Sequence, residues 1–351
     1  MTKENGQEKK MIEGILGKIQ KNSKIAIIMH DTPDPDALAS AHGLQYLLKK
    51  KYGSSSDIFY GGEISHPENK AMINVLNLVA KPILEFYESD KYNLIALVDG
   101  TENNIKLKED YKVDIVIDHH RTKVKDEDYQ FVLNKPAGSC STLIFDLLKQ
   151  EGIELSKNDT DKVISTTLLF GLIKDSNNLL SDDCIQLDFD AHKKLSTHAD
   201  LAKIKEIQNY PLPEYFFQFS SKAIQEKSFI EINGTYVSFI GYISPAKRDV
   251  LPYLSDMFMR RDGISTAVIT AVVGDNIEAS VRSTSVSLDV HTFCQKIFGK
   301  EYAGGKRGSG GAKIPLGFFE LSNDTEEYKE KLIALVKARI LEKVQKEISN
   351  E

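Results

Sequence analysis

Val113-Asp-Ile-Val-Ile-Asp-His-His-Arg121 puts a carboxylate, two imidazoles and a guanidinium in unbroken succession behind a short apolar run. The apolar residues from Val113 to Ile117 predict a buried strand, and open α/β sheets bind ligands just beyond the carboxyl ends of their strands. Folding alone asks for no such sequence. On an extended backbone successive side chains alternate, so His119 and His120 should point in different directions, one toward a metal and the other toward a substrate. Two more predicted strand ends repeat the theme. Lys24-Ile-Ala-Ile-Ile-Met-His30 runs into Asp31-Thr-Pro-Asp34-Pro-Asp36, and Leu94-Ile-Ala-Leu-Val-Asp99 stops on an acid. One Asp would satisfy a helix cap after the prolines, but a His with both acids exceeds what capping needs. Asp175 follows the apolar helix predicted from Asp161 to Ile173, at the negative dipole end, where an acid is unfavourable without a cation nearby.

Collected, these groups are His30, Asp34, Asp36, Asp99, Asp118, His119, His120 and Asp175. Carboxylate and imidazole without thiolate suit Mn²⁺ or a similar divalent ion better than a structural zinc site. They are too many for one ion. A pair of ions sharing a carboxylate would use them, clamping a phosphate while lowering the pKa of a bridging water. The implied reaction is in-line attack on a phosphoester, and no Ser or Cys nucleophile with a paired base competes with it.

The elements that must position this cluster follow from periodicity. Strands near Lys24, Asp57, Leu94, Val113 and Tyr129 alternate with helices from Pro67, Gly138 and Asp161, behind an amphipathic helix over Gln7 to Ile19. This pattern predicts an N-terminal α/β domain with a mostly parallel sheet flanked by helices. Prolines break it at Tyr210-Pro-Leu-Pro213, so the domains are expected at 1–208 and 221–351 with a linker at 209–220. Beyond it, a hairpin turning at Asn233-Gly234, further strands and helices predict a smaller α+β domain, with the active site in the cleft between the two. Tyr302 to Lys313 reads as a Gly-rich basic loop whose Gly304 and Gly305 free backbone N–H groups for phosphate, with Lys306 and Arg307 adding charge. Arg282 and Ser283, closing a strand, are candidates for a second phosphate contact. Apolar residues every four positions from Tyr328 to Ile348 predict a terminal helix that docks on the second domain or on a partner subunit.

Composition sets the outer bounds. A chain of 351 residues is long enough for two cores. Its net charge of −6 argues against gripping long nucleic acid through a basic face. Cys140, Cys184 and Cys294 are odd in number and lack CxxC pairing, which predicts reduced thiols. With no bilayer-length apolar run and no signal peptide behind Met1, the expected compartment is the cytoplasm.

His30-Asp-Thr-Pro-Asp34-Pro-Asp36, Leu94 to Asp99, Asp118-His-His-Arg121 and Gly171-Leu-Ile-Lys-Asp175-Ser resemble, in order and spacing, four motifs of the DHH phosphoesterase family. The second half resembles the DHH-associated domain of the nano-RNase/pAp phosphatase branch. The resemblance implies one Mn²⁺ held by His30, Asp34 and Asp99, and another by Asp36, Asp99, His119 and Asp175, with Asp99 bridging and Mg²⁺ or Co²⁺ as alternative ions. It implies that Asp118 orients its neighbours and that His120, with Arg121, meets the scissile phosphate. The expected substrates are oligoribonucleotides of a few residues, 3′-phosphoadenosine 5′-phosphate, or linear or cyclic dinucleotides. Where that branch carries Gly-Gly-Gly-His, this chain reads Ala303-Gly-Gly-Lys-Arg307, leaving Lys306 or Arg307 to contact phosphate or base. The alternatives are an inorganic pyrophosphatase or exopolyphosphatase and, from another class, a noncatalytic nucleotide sensor.

Overall fold

The structure is a computed structural model that describes residue 19 and residues 23–89, 91–102, 105, 107–108, 110–121, 124, 129–226, 228–306, 308–319, 321 and 325–349. The helix expected over Gln7 to Ile19 lies outside the described residues except for Ile19. By its contacts the chain divides into two units, Met1–Pro211 and Leu212–Glu351.

The first unit alternates strand and helix. β1 (Lys24–Asp31) leads to α1 (Pro35–Tyr52), β2 (Ser55–Gly61), α2 (Pro67–Leu76), the short β3 (Lys81–Pro82) and α3 (Ile83–Tyr87). β4 (Leu94–Val98), β5 (Ile115–Asp118) and β6 (Phe131–Asn134) follow, then α4 (Cys140–Gln150), α5 (Asp159–Asp175), α6 (Gln186–Ser196) and α7 (Leu201–Gln208). The strands form one six-stranded sheet, ordered β3-β2-β1-β4-β5-β6, with every pairing parallel. Continuous apolar runs suit strands covered on both faces. Ile25, Ile27 and Met29 of β1 accordingly join one core, and Ala26 and Ile28 the other. The strand order runs outward from β1 on one side and from β4 on the other. Their carboxyl ends flank the switch point at which such sheets bind ligands.

α1 is buried without interruption from Pro35 to Leu44. Glycines let it approach its neighbours closely. A Cβ on Gly43 would fall 2.6 Å from Ile144 Cγ2 and 2.9 Å from Leu168 Cδ2, and one on Gly171 of α5 would fall 2.7 Å from Ala39 Cβ.

The stretch expected as a linker is largely helix. α8 (Glu214–Ala223) buries Phe216 and Phe219 in a core of the second unit. Pro213 sits at the cap of this helix, so the prolines punctuate two consecutive helices. β7 (Phe229–Ile232), β8 (Thr235–Ile243), α9 (Val250–Phe258), β9 (Thr266–Val273), β10 (Asn276–Ser283), α10 (Val290–Phe298), β11 (Ala303–Lys306), β12 (Ser309–Pro315) and α11 (Glu326–Ser349) complete the unit. Its sheet is ordered β11-β12-β10-β9-β8-β7, antiparallel except for β8 with β9. α11 buries Leu332, Val336, Ile340, Val344 and Ile348 against this unit's core.

The glycine-rich segment corrects a second expectation, because it is a hairpin and not a loop. Gly304 pairs with Gly311 and Gly305 with Gly310 across β11 and β12. The Gly305 N–H faces His291 Nδ1 at 3.2 Å. Here glycine serves close packing. A Cβ on Gly310 would fall 2.7 Å from Cys294 Sγ and 2.8 Å from Val290 Cγ1 on α10. Composition alone does not distinguish that demand from open backbone.

Candidate metal centre

Three strand ends, one helix start and one helix end converge in the first unit. His30 lies near the end of β1, Asp34 and Asp36 at the start of α1, and Asp99 directly after β4. Asp118 closes β5, and Asp175 closes α5. Ligand atoms of His30, Asp34 and Asp99 lie within 4.8 Å of one another, as do those of Asp36, His119 and Asp175, and those of Asp99, His119 and His120. Asp99 belongs to two of these groups. His30 Nε2 stands 3.6 Å from Asp99 Oδ2, and His119 Nε2 stands 3.4 Å from Asp99 Oδ1 and 3.1 Å from Asp175 Oδ2.

Each side chain is aimed by nearby backbone. His30 Nδ1 lies 2.9 Å from the Asp31 carbonyl oxygen and His119 Nδ1 lies 2.9 Å from that of Ala137, so both rings turn Nε2 toward the acids. Asp34 does cap α1, accepting the N–H groups of Asp36 and Ala37 at 2.9 Å each. Asp36 is buried at the amino end of another helix, α4, where it accepts the Cys140 N–H at 2.6 Å, the Ser141 N–H at 2.9 Å and the Ser141 hydroxyl. A helix amino end is a natural seat for an anion. The Gly138–Thr142 stretch therefore receives a carboxylate of the same chain, while Ser139 caps α4 through the Thr142 N–H. Asp99 takes a left-handed backbone, φ 56°, a conformation that Asp tolerates better than most residues.

The crowded acids dominate the electrostatics. Burial opposes charge on His30, but Asp99, Asp34 and the Asp31 carbonyl outweigh it and push its pKa up to about 9. Burial likewise opposes charge on His119, and Asp99, Asp36 and Asp175 push it up to about 10. Burial and then the Asp99 charge raise Asp34 to about 6, and the same two causes carry Asp36 well above the carboxylate range. Burial would also raise Asp99, yet His119 and His30 hold it down at about 2. Asp99 Oδ1 is buried and accepts no hydrogen bond. An orphaned carboxylate oxygen in a cluster of oxygen and imidazole donors is what a divalent metal ion satisfies. Cys140 adds no thiolate, since its Sγ donates to the Ile117 carbonyl at 3.4 Å and burial raises its thiol. The residues fit such an ion.

His119 and His120 do not alternate as expected. The strand ends at Asp118, and the two rings lie 4.3 Å apart at 49°. His120 Nδ1 sits 2.7 Å from Asp118 Oδ1, and this hydrogen bond, partly offset by burial, raises the His120 pKa. Asp118 also accepts from Asn134 Nδ2 at 3.1 Å. Arg121 donates to Asp183 at 2.7 Å, with both side chains exposed. In the second unit, Arg282 donates to Asp256 at 2.7 Å and to the Val281 carbonyl at 3.1 Å, and Ser283 Oγ lies 2.9 Å from Thr266 Oγ1. Both are thus engaged within the second unit, Arg282 by α9 and Ser283 by the neighbouring strand β9. The side chain of Lys306 and all of Arg307 lie outside the described residues.

Sequence reasoning passed over three supporting residues. Asn134 ties Asp118 to the carbonyl of His120, which it reaches at 3.2 Å. Asn69 on α2 donates to the Pro33 carbonyl at 2.8 Å and so steadies the loop before Asp34. Asp188 on α6 holds the segment before α4. An amide directly after a predicted strand was the available signal for Asn134; the other two carried none.

Residues 24–172 match the family model described as "DHH family, N-terminal domain". An uncharacterised protein of Methanocaldococcus jannaschii is 32% identical over 323 residues, 92% of this chain, and the chain spans 64% of that relative's length. A Streptococcus pyogenes protein named a probable manganese-dependent inorganic pyrophosphatase is 25% identical over 263 residues, 72% of this chain and 79% of its own. Among solved structures, an exopolyphosphatase-related protein from Bacteroides fragilis superposes with a TM-score of 0.65 at 14% identity, covering 95% of this chain and 96% of its own, a likeness of fold. Residues 24–172, most of the first unit, thus form a DHH family N-terminal domain.

Proposed function

We propose that this chain is a cytoplasmic hydrolase that uses two Mn²⁺ ions, or Mg²⁺ or Co²⁺ in their place, to cleave phosphoester bonds of short nucleotides. The observation that carries this reading is the shared position of Asp99, whose carboxylate belongs to two ligand groups and whose buried Oδ1 accepts no hydrogen bond. One ion would be held by His30, Asp34 and Asp99, the other by Asp36, Asp99, His119 and Asp175. Bound there, such ions supply Lewis acidity toward phosphate oxygens and a water of lowered pKa. The chain supplies the proton traffic. Asp118 fixes the ring of His120 through Nδ1 and favours its protonated form, which would let the ring donate a proton to the leaving oxygen. Arg121, the next residue, would meet phosphate charge. In the second unit, taken by itself, Arg282, Ser283, Gly304, Gly305, Lys306 and Arg307 are the nucleotide contacts that the resemblance to a DHH-associated domain implies.

A second reading, hydrolysis of pyrophosphate or polyphosphate, is favoured by the Streptococcus relative's name. It also gains from the hairpin at Gly304 to Gly311, which withdraws the open loop expected to read a base. A nucleotide sensor without turnover is disfavoured because every ligand position is filled by a donor. Turnover of the Mn²⁺-loaded protein on 3′-phosphoadenosine 5′-phosphate, short RNA, linear and cyclic dinucleotides and pyrophosphate separates the three. Nucleotide hydrolysis supports the proposal, pyrophosphate hydrolysis alone replaces it with the second reading, and nucleotide binding without hydrolysis leaves the sensor.

A further inference from the structure

Asp188 is fully buried, and three donors converge on its carboxylate. Oδ2 accepts the Ile185 N–H at 2.8 Å and the Gly138 N–H at 2.9 Å, and Oδ1 accepts the Thr142 hydroxyl at 2.6 Å. An acid in the first turn of a helix often accepts its own cap N–H, which accounts for Ile185 alone. The other two donors belong to a different element, the segment that opens α4. A Cβ on Gly138 would fall 3.0 Å from Asp188 Cγ, so the fit leaves no room for a side chain there.

That segment points two ways at once. Its Ala137 carbonyl orients His119, and its Cys140 and Ser141 N–H groups hold Asp36. Asp188 pins it at Gly138 and Thr142, on both sides of the N–H groups that grip Asp36. We infer that Asp188 is a positioning residue that sets His119 and Asp36 for metal binding although its own carboxylate belongs to neither ligand group. The inference rests on the metal centre proposed above. With the carboxylate replaced, the segment loses its anchor, and loosening by a few tenths of an ångström exceeds what a ligand set tolerates.

The test measures Mn²⁺ affinity by electron paramagnetic resonance of the free ion, together with the thermal midpoint of the metal-free protein. The variants are Asp188→Asn, Asp188→Ala, Thr142→Val and, as a control, Leu195→Ala, which empties a fully buried apolar position further along the same helix. Asp188→Asn and Asp188→Ala should weaken Mn²⁺ binding by about 10- to 100-fold. Thr142→Val should have a smaller effect, and Leu195→Ala should lower the midpoint at wild-type affinity. If Leu195→Ala weakens binding as much as Asp188→Asn, or if Asp188→Asn binds like wild type, Asp188 is only structural and the inference falls. If wild-type protein binds no Mn²⁺, the reading of the centre itself has failed.

Discussion

Gly171→Ala tests the centre at the point where packing and ligation meet. The added Cβ would overlap Ser141 Oγ, fall 2.7 Å from Ala39 Cβ and lie 3.1 Å from Asp36 Oδ1. Carbon atoms pack at about 3.5–4.0 Å, so the contact with Ala39 alone asks for a shift of about 1 Å. Ala39 Cβ is fixed to the backbone of a buried helix and cannot swing away, so the strain passes to Ser141 and through it to Asp36. Gly43→Ala is the matched control. Its Cβ meets Ile144 Cγ2 and Leu168 Cδ2, the ends of side chains that can adjust, and no ligand. Overpacking costs about 1–3 kcal/mol, and Ala in place of Gly returns about 1 kcal/mol of helix propensity. Each variant should therefore lose about 0–2 kcal/mol in urea unfolding. Their Mn²⁺ affinities should part company, with Gly171→Ala down about 10-fold or more and Gly43→Ala near wild type. Equal affinities in the two variants would refute the claim that helix spacing at Gly171 sets Asp36.

Three further outcomes follow from the same geometry. Asp99→Ala should abolish turnover and lower the number of Mn²⁺ ions bound, as read by equilibrium dialysis. His120→Gln should reduce kcat by about 10²–10⁴-fold while leaving Mn²⁺ affinity within a few-fold, because a proton donor is lost and the acids remain. Burial would raise Asp161, but hydrogen bonds from Tyr46, Ser156 and Asn158 hold its pKa below the ordinary value. Its contribution to stability is therefore fully present above the unfolded value of about 4 and is lost as pH falls through the lower folded value. Metal-free Asp161→Asn should accordingly show a flatter acid limb than wild type in urea midpoints measured from pH 6 to pH 3.

The parallel sheet and the gathering of acids and imidazoles at its strand ends are legible in the sequence because their signals are local. An apolar run that ends on His30, Asp99 or Asp118 states both the strand and the group it delivers. Asp188 carries no such mark, since an acid in the first turn of an amphipathic helix is unremarkable until Gly138, fifty positions earlier in the chain, turns its N–H toward it. The glycines at 304 to 311 mislead for a related reason. Missing side chains look the same whether backbone must be open or must lie flat against Cys294 and Val290. Pro211 and Pro213 read as a break because the apolar pair Phe216 and Phe219 behind them is short, and only the second unit's core shows what it covers. The alternation argument for His119 and His120 fails where the extended backbone stops, at Asp118.

The leading turn of α1 presents Asp34 and Asp36 from a rod gripped on all sides by the interior. Such a rod has little slack to take up when a cation arrives. Capture should resemble a key entering a finished lock, with the folding cost already met during synthesis, so loading can be quick and reversible without any part of the first unit melting.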